Sequence, residues 1–473
     1  MGSTADATNS GTPGSNSPEQ PSLKRVMGPG LLLLFIVGDI LGTGIYALTG
    51  KVANQVGGAV WLPFLVAFLV AIITAFSYLE LVTKYPKAAG AALYTHKAFG
   101  VHFLTYMVAF AVMCSGITSA STASRAFAAN FVEAFHLDFS TGIGITLLGL
   151  GFMTLVGLVN FRGVSESVKT NVVLTCVELS GLLIIIMIGL WALGVGDGDF
   201  SRVTTFDTGD RSALGAVVAG TALAFFAMVG FEDSVNMAEE CKEPSRIFPK
   251  VLLTGLIITG CIYVFVSITA IALVPVSELG EGDTPLLKVV QAGAPAFPIG
   301  IFAFITMFAV ANTALINMLM ASRLLYGMSR EGVLPPPLGR VHSTRRTPYV
   351  AIVFTTLLAF GLITFVGEVP ELGGTTALLL LGVFTIVNVT VLVLRRQPVE
   401  HKHFRVPTIL PIIGALTCGF LVTPFADRPA VQYQIAGILL GIGVVLWAGT
   451  VVVNKRLGKG GPEIDPEKLA EHE

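Results

Sequence analysis

Charge is what this 473-residue sequence has least of. Asp, Glu, Lys and Arg make up 12% of it against 53% hydrophobic residues, about half the charged share of an ordinary soluble domain. Such a chain does not read as water-soluble. Cysteine is scarce as well: Cys114, Cys176, Cys241, Cys261 and Cys418 stand at irregular spacing, which suggests neither a disulfide framework nor a metal site. Motifs of hydrolytic chemistry are missing. There is no HExxH or GxSxG, and no apolar run holds two of the 7 histidines, so an intramembrane enzyme would lack its nucleophile–base pair or its metal ligands. No enzyme activity, no cofactor and no nucleic-acid partner are expected, and the net charge of -1 says little about partners, because what matters is where the charges lie. The opening "MGSTADATNSGTPGSNSPEQ" lacks the basic start and apolar centre of a signal peptide. Residues 1–23 and 456–473 are expected to be disordered tails.

Long apolar runs fill the rest. Each crossing of a bilayer needs roughly 20 residues of helix, and about twelve such runs are expected. They cover 29–50, 58–82, 103–131, 142–160, 171–195, 214–237, 251–274, 299–325, 349–366, 376–394, 409–425 and 435–453. Most of the 29 Lys and Arg residues fall on one set of alternate loops, among them Lys24, Arg25, Arg340, Arg345, Arg346, Arg395, Arg396, Lys402 and Arg405. The opposite loops, such as "GVGDGDF" and "VSELGEGDTP", are acidic or neutral. Basic loops stay inside, which places both termini in the cytoplasm and the chain in the plasma (inner) membrane as a multi-pass protein.

With short loops throughout, function has to be built among the helices. Two interruptions stand out. The first run breaks at Gly42-Thr43-Gly44, beside Asp39, and five runs later "TALAFFAMVGFEDSVNMAEE" carries Gly230 followed by Glu232 and Asp233. They match under a five-plus-five division, the arrangement by which transporters place a site at discontinuous helices. Unwinding a helix in lipid frees N–H groups on one half and C=O groups on the other, at a cost unless a ligand satisfies them. An amino acid satisfies both. Its carboxylate suits the positive end of a half-helix, its ammonium the exposed carbonyls.

At these residues the sequence resembles the amino acid–polyamine–organocation permeases, whose fold is that of the sodium-coupled leucine transporter. The resemblance runs through "GDILGTGIYALTG", "YLELVTKYPKAAGAALYTHKAFG", "NFRGVSESVKTNVVL", "FFAMVGFEDSVNMAEECKEPSRIFPK" and "ASRLLYGMSREGVLPPPLGRVHSTRRTPYVA". It implies an all-α integral membrane fold over 24–455: inverted repeats about 29–196 and 212–397, broken first and sixth helices, and two extra helices about 408–454. The resemblance further implies that the N–H groups of Gly42, Thr43 and Gly44 hold the substrate carboxylate and that the Ile40 carbonyl takes the ammonium. Phe226 corresponds to the aromatic that closes over the substrate, Val229 and Gly230 to the substrate-facing turn, and Glu232 to an acid linked to gating.

The sequence departs from the family where many relatives carry a lysine in the fifth helix, for here Glu178 stands in "LTCVELSGL". Asp39 replaces a small or amide residue. A carboxyl inside a membrane is a functional candidate by default, and three uses compete: proton carrier, counter-charge to a cationic substrate, and sodium ligand. For sodium, the resemblance offers the carbonyls of Gly38 and Leu41 with Thr313, and Asn312 nearby. Proton coupling is expected first, sodium second, simple exchange third. The substrate is expected to be an amino acid or amine, with cationic amino acids and polyamines favoured over neutral ones, and a nutrient sensor of the same fold is the remaining alternative. Blander expectations attach to Glu80, an interfacial pair near Lys84 and Lys87, and to Arg125, which snorkels or pairs with Glu133.

Overall fold

In lipid every backbone polar group must be satisfied within the chain, which leaves helices as the form these apolar runs take. The computed structural model describes residues 28–86, 90–137, 142–163, 168–235, 241, 244–399, 401–457, 461 and 463–464. The first run is two helices, α1 (Pro29–Ile40) and α2 (Thr43–Val56), bent by 40° at the break between them. They are followed by α3 (Trp61–Lys84), a short α4 (Gly90–Phe99), α5 (His102–Ala134), α6 (Gly142–Arg162) and α7 (Val168–Val195). The sixth run starts as α8 (Ala213–Ala224), tightens into a 3-10 turn over Phe225–Met228 and turns at Gly230. Then come α9 (Pro244–Leu273), short α10 (Val276–Leu279) and α11 (Pro285–Gly293), α12 (Ile299–Arg330), α13 (Tyr349–Phe365), α14 (Val369–Leu394), α15 (Ile409–Val422) and α16 (Ala430–Arg456).

Over their described residues all twelve expected runs are mostly helical, the sixth interrupted by the turn at Gly230. Among the described residues nine single helices are long and apolar enough to cross a membrane, the bent α1–α2 pair makes ten, and α13 and α15 are shorter apolar helices. The end of the bundle where α1 starts is the near end, the opposite one the far end. At the far end the stretch read as a polar loop holds α10 and α11, because "PLLKVVQ" starts on a proline and turns Leu286, Leu287, Val289 and Val290 inward. The N-terminal tail lies outside the described residues. Of the C-terminal one, Ile464 is buried and its N–H donates to His102 Nδ1 at 3.1 Å.

A polar ladder ties α3 to α14 and α15. Ser77 Oγ donates to Asn388 Oδ1 at 2.6 Å, Asn388 Nδ2 donates to Thr74 Oγ1 at 3.3 Å, and Thr74 Oγ1 lies 3.4 Å from Cys418 Sγ. At the near end Arg395 grips Glu80 with two parallel bonds of 2.7 and 2.6 Å, while Val406 N–H donates to the same carboxylate at 2.9 Å. Glu80 is thus paired with Arg395 and not with Lys84, since a guanidinium fork matches a carboxylate face to face. Lys84 gives its ammonium to the carbonyls of Leu394 and Gln397, just where α14 ends. Lys87 lies outside the described residues. Towards the far end α14 is bonded to α5, Thr118 Oγ1 lying 2.7 Å from Thr376 Oγ1. Arg125 donates to Thr146 Oγ1 on α6 at 2.8 Å; Glu133 stands eight residues on, about 12 Å along the helix.

Candidate functional site

The two breaks pack on each other. A Cβ added to Gly230 would stand 2.5 Å from the carbonyl oxygen of Asp39 and 3.1 Å from the nitrogen of Ile40. Gly230 has φ of +123°, a conformation that side-chain-bearing residues rarely adopt. Gly44 abuts the backbone of Ala227 as closely, and Gly42 faces Thr313 of α12, whose Oγ1 would be 2.7 Å from an added Cβ. Small residues at these points let two unwound segments and one neighbouring helix meet backbone to backbone. Ile40, Gly42, Thr43, Gly44, Val229, Gly230 and Thr313 therefore lie in one neighbourhood.

Several polar atoms there have defined partners. The Ile40 carbonyl accepts the hydroxyl of Tyr263 at 2.7 Å, and the Gly230 N–H donates to Glu232 Oε2 at 2.9 Å. Thr313 Oγ1 donates to Ala309 O of its own helix at 3.3 Å. Thr43 is buried, and its hydroxyl oxygen has no hydrogen-bond partner. Phe226 is buried beside Gly373 of α14, where an added Cβ would lie 3.2 Å from its ring. Its ring thus stands where α14 passes the end of α8.

Glu178 sits behind the first break. It is 1% exposed, Oε1 accepts from Asn312 Nδ2 at 3.1 Å, and Oε2 has no hydrogen-bond partner. The backbone carbonyl of Glu178 accepts the hydroxyl of Tyr46 of α2 at 2.6 Å. A carboxyl so enclosed, half bonded and half not, can accept a proton or meet a cation without rearranging its surroundings. Asp39 is partly buried at the last turn of α1, with its backbone against Gly230.

A cavity of about 50 Å³ opens next to the second break, lined by Val229, Glu232 and Asp233 with Ser115, Asn317 and Thr376. Its mixture of acids, hydroxyls and an amide suits a cationic or hydrogen-bonding group. Beyond it lies an aromatic nest: Phe384 stands 5.7 Å from Tyr78, 5.3 Å from Phe231 and 6.0 Å from Phe225, ring centre to centre. Among the described residues no three His, Cys, Asp or Glu side chains gather as a metal site.

Residues 31–447 match the family model for amino acid permeases. The chain belongs to that family. Among curated relatives, this permease is 26% identical to the branched-chain amino acid permease BcaP of Bacillus subtilis, over 90% of its own length and 93% of the relative's. It is 28% identical to the low-affinity putrescine importer PlaP of Escherichia coli K12, over 79% and 82%. With the chloroplastic cationic amino acid transporter 9 of Arabidopsis thaliana it shares 29% identity over 68% of this chain and 58% of that one. The permease is thus a multi-pass membrane protein of the amino acid permease family.

What the sequence did not single out in the permease are the residues that reach the site from afar. Tyr263 meets Ile40 across 223 positions, and Asn312, named from the sequence only as a neighbour of Thr313, meets Glu178 across 134. A tyrosine or asparagine inside an apolar run is the one trace they leave, since either needs a partner when buried.

Proposed function

We propose that the permease is a secondary active carrier that moves a cationic amino acid or polyamine by alternating access, coupled to protons, with both termini in the cytoplasm of a cell whose plasma membrane holds it. The near end is then cytoplasmic. What carries the reading is the contact between the two breaks, which gathers freed backbone groups of opposite polarity at one place inside the membrane. In this reading the N–H groups of Gly42, Thr43 and Gly44 hold the substrate carboxylate and the hydroxyl of Thr43 adds a bond. The Ile40 carbonyl takes the ammonium, which displaces the Tyr263 hydroxyl. Phe226 closes the far side and the turn at Val229 and Gly230 lines the path.

The acids divide the remaining work. Glu178, with one oxygen unpartnered next to Asn312, loads and releases the coupling proton, with Asp39 as the second candidate beside the break. Glu232 gates, because its carboxylate holds the Gly230 N–H and a change in its charge alters that turn. The cavity lined by Glu232 and Asp233 supports a positive substrate end, and relatives named for cationic amino acids and putrescine agree with it. BcaP, named for branched-chain amino acids, favours neutral cargo instead. Sodium coupling has one supporting contact, the approach of Gly42 to Thr313.

Thermal stabilisation of the purified permease decides among these, since a compound that binds the folded state raises its apparent stability by mass action. L-arginine, L-lysine and putrescine are expected to stabilise it, L-leucine and L-valine far less, with no requirement for sodium. Stabilisation by the neutral amino acids alone would overturn the substrate, and a strict sodium requirement the coupling ion. Binding of L-arginine without uptake into sealed vesicles under any gradient would make the protein a sensor.

A further inference from the structure

The last two spans stand outside the repeated ten, yet one residue between them reaches the end of α8. Arg428 lies in the loop that joins α15 to α16 and is only 8% exposed. Its Nε donates to Leu421 O at 2.7 Å, Nη1 to Gly374 O and Gln432 Oε1, both at 3.0 Å, and Nη2 to Ala222 O at 3.0 Å. None of these partners is a carboxylate. Burying a guanidinium without a counter-ion is expensive unless its donors find acceptors, and here four hydrogen bonds engage all three nitrogens.

The acceptors explain the placement. Ala222 lies in the last turn of α8, where the α-helical ladder ends and the carbonyls carry the negative end of the helix dipole. The chain leaves that turn directly into Phe225–Met228, the 3-10 segment that bears Phe226. Gly374, the second acceptor on a neighbouring element, follows Gly373, against which the Phe226 ring lies. One guanidinium therefore bridges the two backbones that frame Phe226. Burial lowers its pKa to about 10, so the cation persists at neutral pH.

We propose that Arg428 is a positioning residue for transport: from the α15–α16 loop it fixes the C-terminal end of half-helix α8 against α14, and thereby the stance of Phe226. The kinetic half of this rests on Phe226 lining the transport path; the structural half does not. The fork geometry matters as much as the charge, because a lysine ammonium has one nitrogen where Arg428 uses three.

Hydrogen–deuterium exchange on the full-length permease in nanodiscs reads the structural half without any substrate. Tyr433→Phe serves as control, since the Tyr433 hydroxyl donates to Val422 O at 2.8 Å and so bridges α15 and α16 rather than bonding α8. Arg428→Gln should speed exchange of the amides over 223–229 by about tenfold or more, Arg428→Lys by less, and Tyr433→Phe should leave them as in the parent. Unchanged exchange there in Arg428→Gln, or an equal rise over all spans in both variants, overturns the proposal. Uptake of L-arginine, putrescine and L-leucine into proteoliposomes reads the kinetic half. Arg428→Gln should raise KM severalfold with kcat nearly kept, as should Phe226→Ala. If Phe226→Ala raises KM and Arg428→Gln does not, Arg428 has no part in transport; if neither does, the reading of Phe226 is at fault.

Discussion

The hydroxyl of Tyr263 on α9 donates to the carbonyl of Ile40, the last residue of α1, at 2.7 Å. That carbonyl is one the break sets free, so a side chain already occupies the place proposed for the substrate ammonium. Tyr263→Phe leaves it a bond short and should lower the stability of the free protein by about 1–3 kcal/mol. An arriving ammonium restores the bond. Ligand-induced thermal stabilisation by L-arginine should therefore be larger in the variant than in the parent. An equal loss with and without L-arginine would mean that the ammonium binds elsewhere.

Gly42 and Thr313 form a steric pair. Gly42→Ala drives its methyl to 2.7 Å from Thr313 Oγ1 and should cost about 1–3 kcal/mol through overpacking. Thr313→Ala alone should cost little. Combining the two should return at least half of the loss in a double-mutant cycle; strict additivity would show that the break tolerates the methyl without pressing on α12.

At Gly230, Ala meets both a strained φ of +123° and the Asp39 carbonyl. Gly230→Ala should lower stability by about 1–3 kcal/mol from backbone strain alone and abolish uptake. Gly30→Ala is the matched control, with nothing within 4 Å of the added methyl, and should stay within about 0.5 kcal/mol of the parent.

Glu178→Gln keeps an acceptor for Asn312, now 3.1 Å from Oε1, while removing the ionisable proton. At least one of Glu178→Gln and Asp39→Asn should lose accumulation driven by a pH gradient while still binding substrate or exchanging it by counterflow. Loss of L-arginine binding in both, with coupling intact, would make them specificity residues.

Asp283 in the α10–α11 connection gives a pH dependence with a definite sign. Burial raises its pKa above the ordinary aspartate value, against the pull of Lys51, 3.7 Å away. A raised native pKa contributes stability that is complete below the unfolded value near 3.9 and is lost as pH rises through the native one. Asp283→Asn escapes that loss, so it should melt higher than the parent at neutral pH, with the gain shrinking as pH falls towards 4. A lower melting point at neutral pH would show that the bond to Lys51 prevails.

Spans and breaks were legible in the sequence because both are local. Twenty apolar residues announce a crossing, and a glycine beside an acid within one announces its interruption. The encounters that define the site are not local. Nothing near Glu80 names Arg395 as its partner, and the sequence offered Lys84, one turn away on the same helix. Arg428 was equally silent, since an arginine in a short loop reads as solvated until the carbonyls of Ala222 and Gly374 are placed around it. Local pattern gives the parts, and partners that pack hundreds of positions apart are supplied by the tertiary fold.

The ladder on α3 carries a mechanical consequence. From Thr74 to Lys84 it pins α3 to α14 and α15 along about 15 Å of helix, too long a seam for one to pivot on the other. Farther along, α14 is riveted to α5 through Thr376 and Thr118. Helix α14 is thus a beam fixed to α3 at one end and to α5 at the other. Any tilt of α3 against α5 has to be absorbed between Thr376 and Asn388, and Gly382, with no neighbour within 4 Å of its missing Cβ, is where that beam has room to bend.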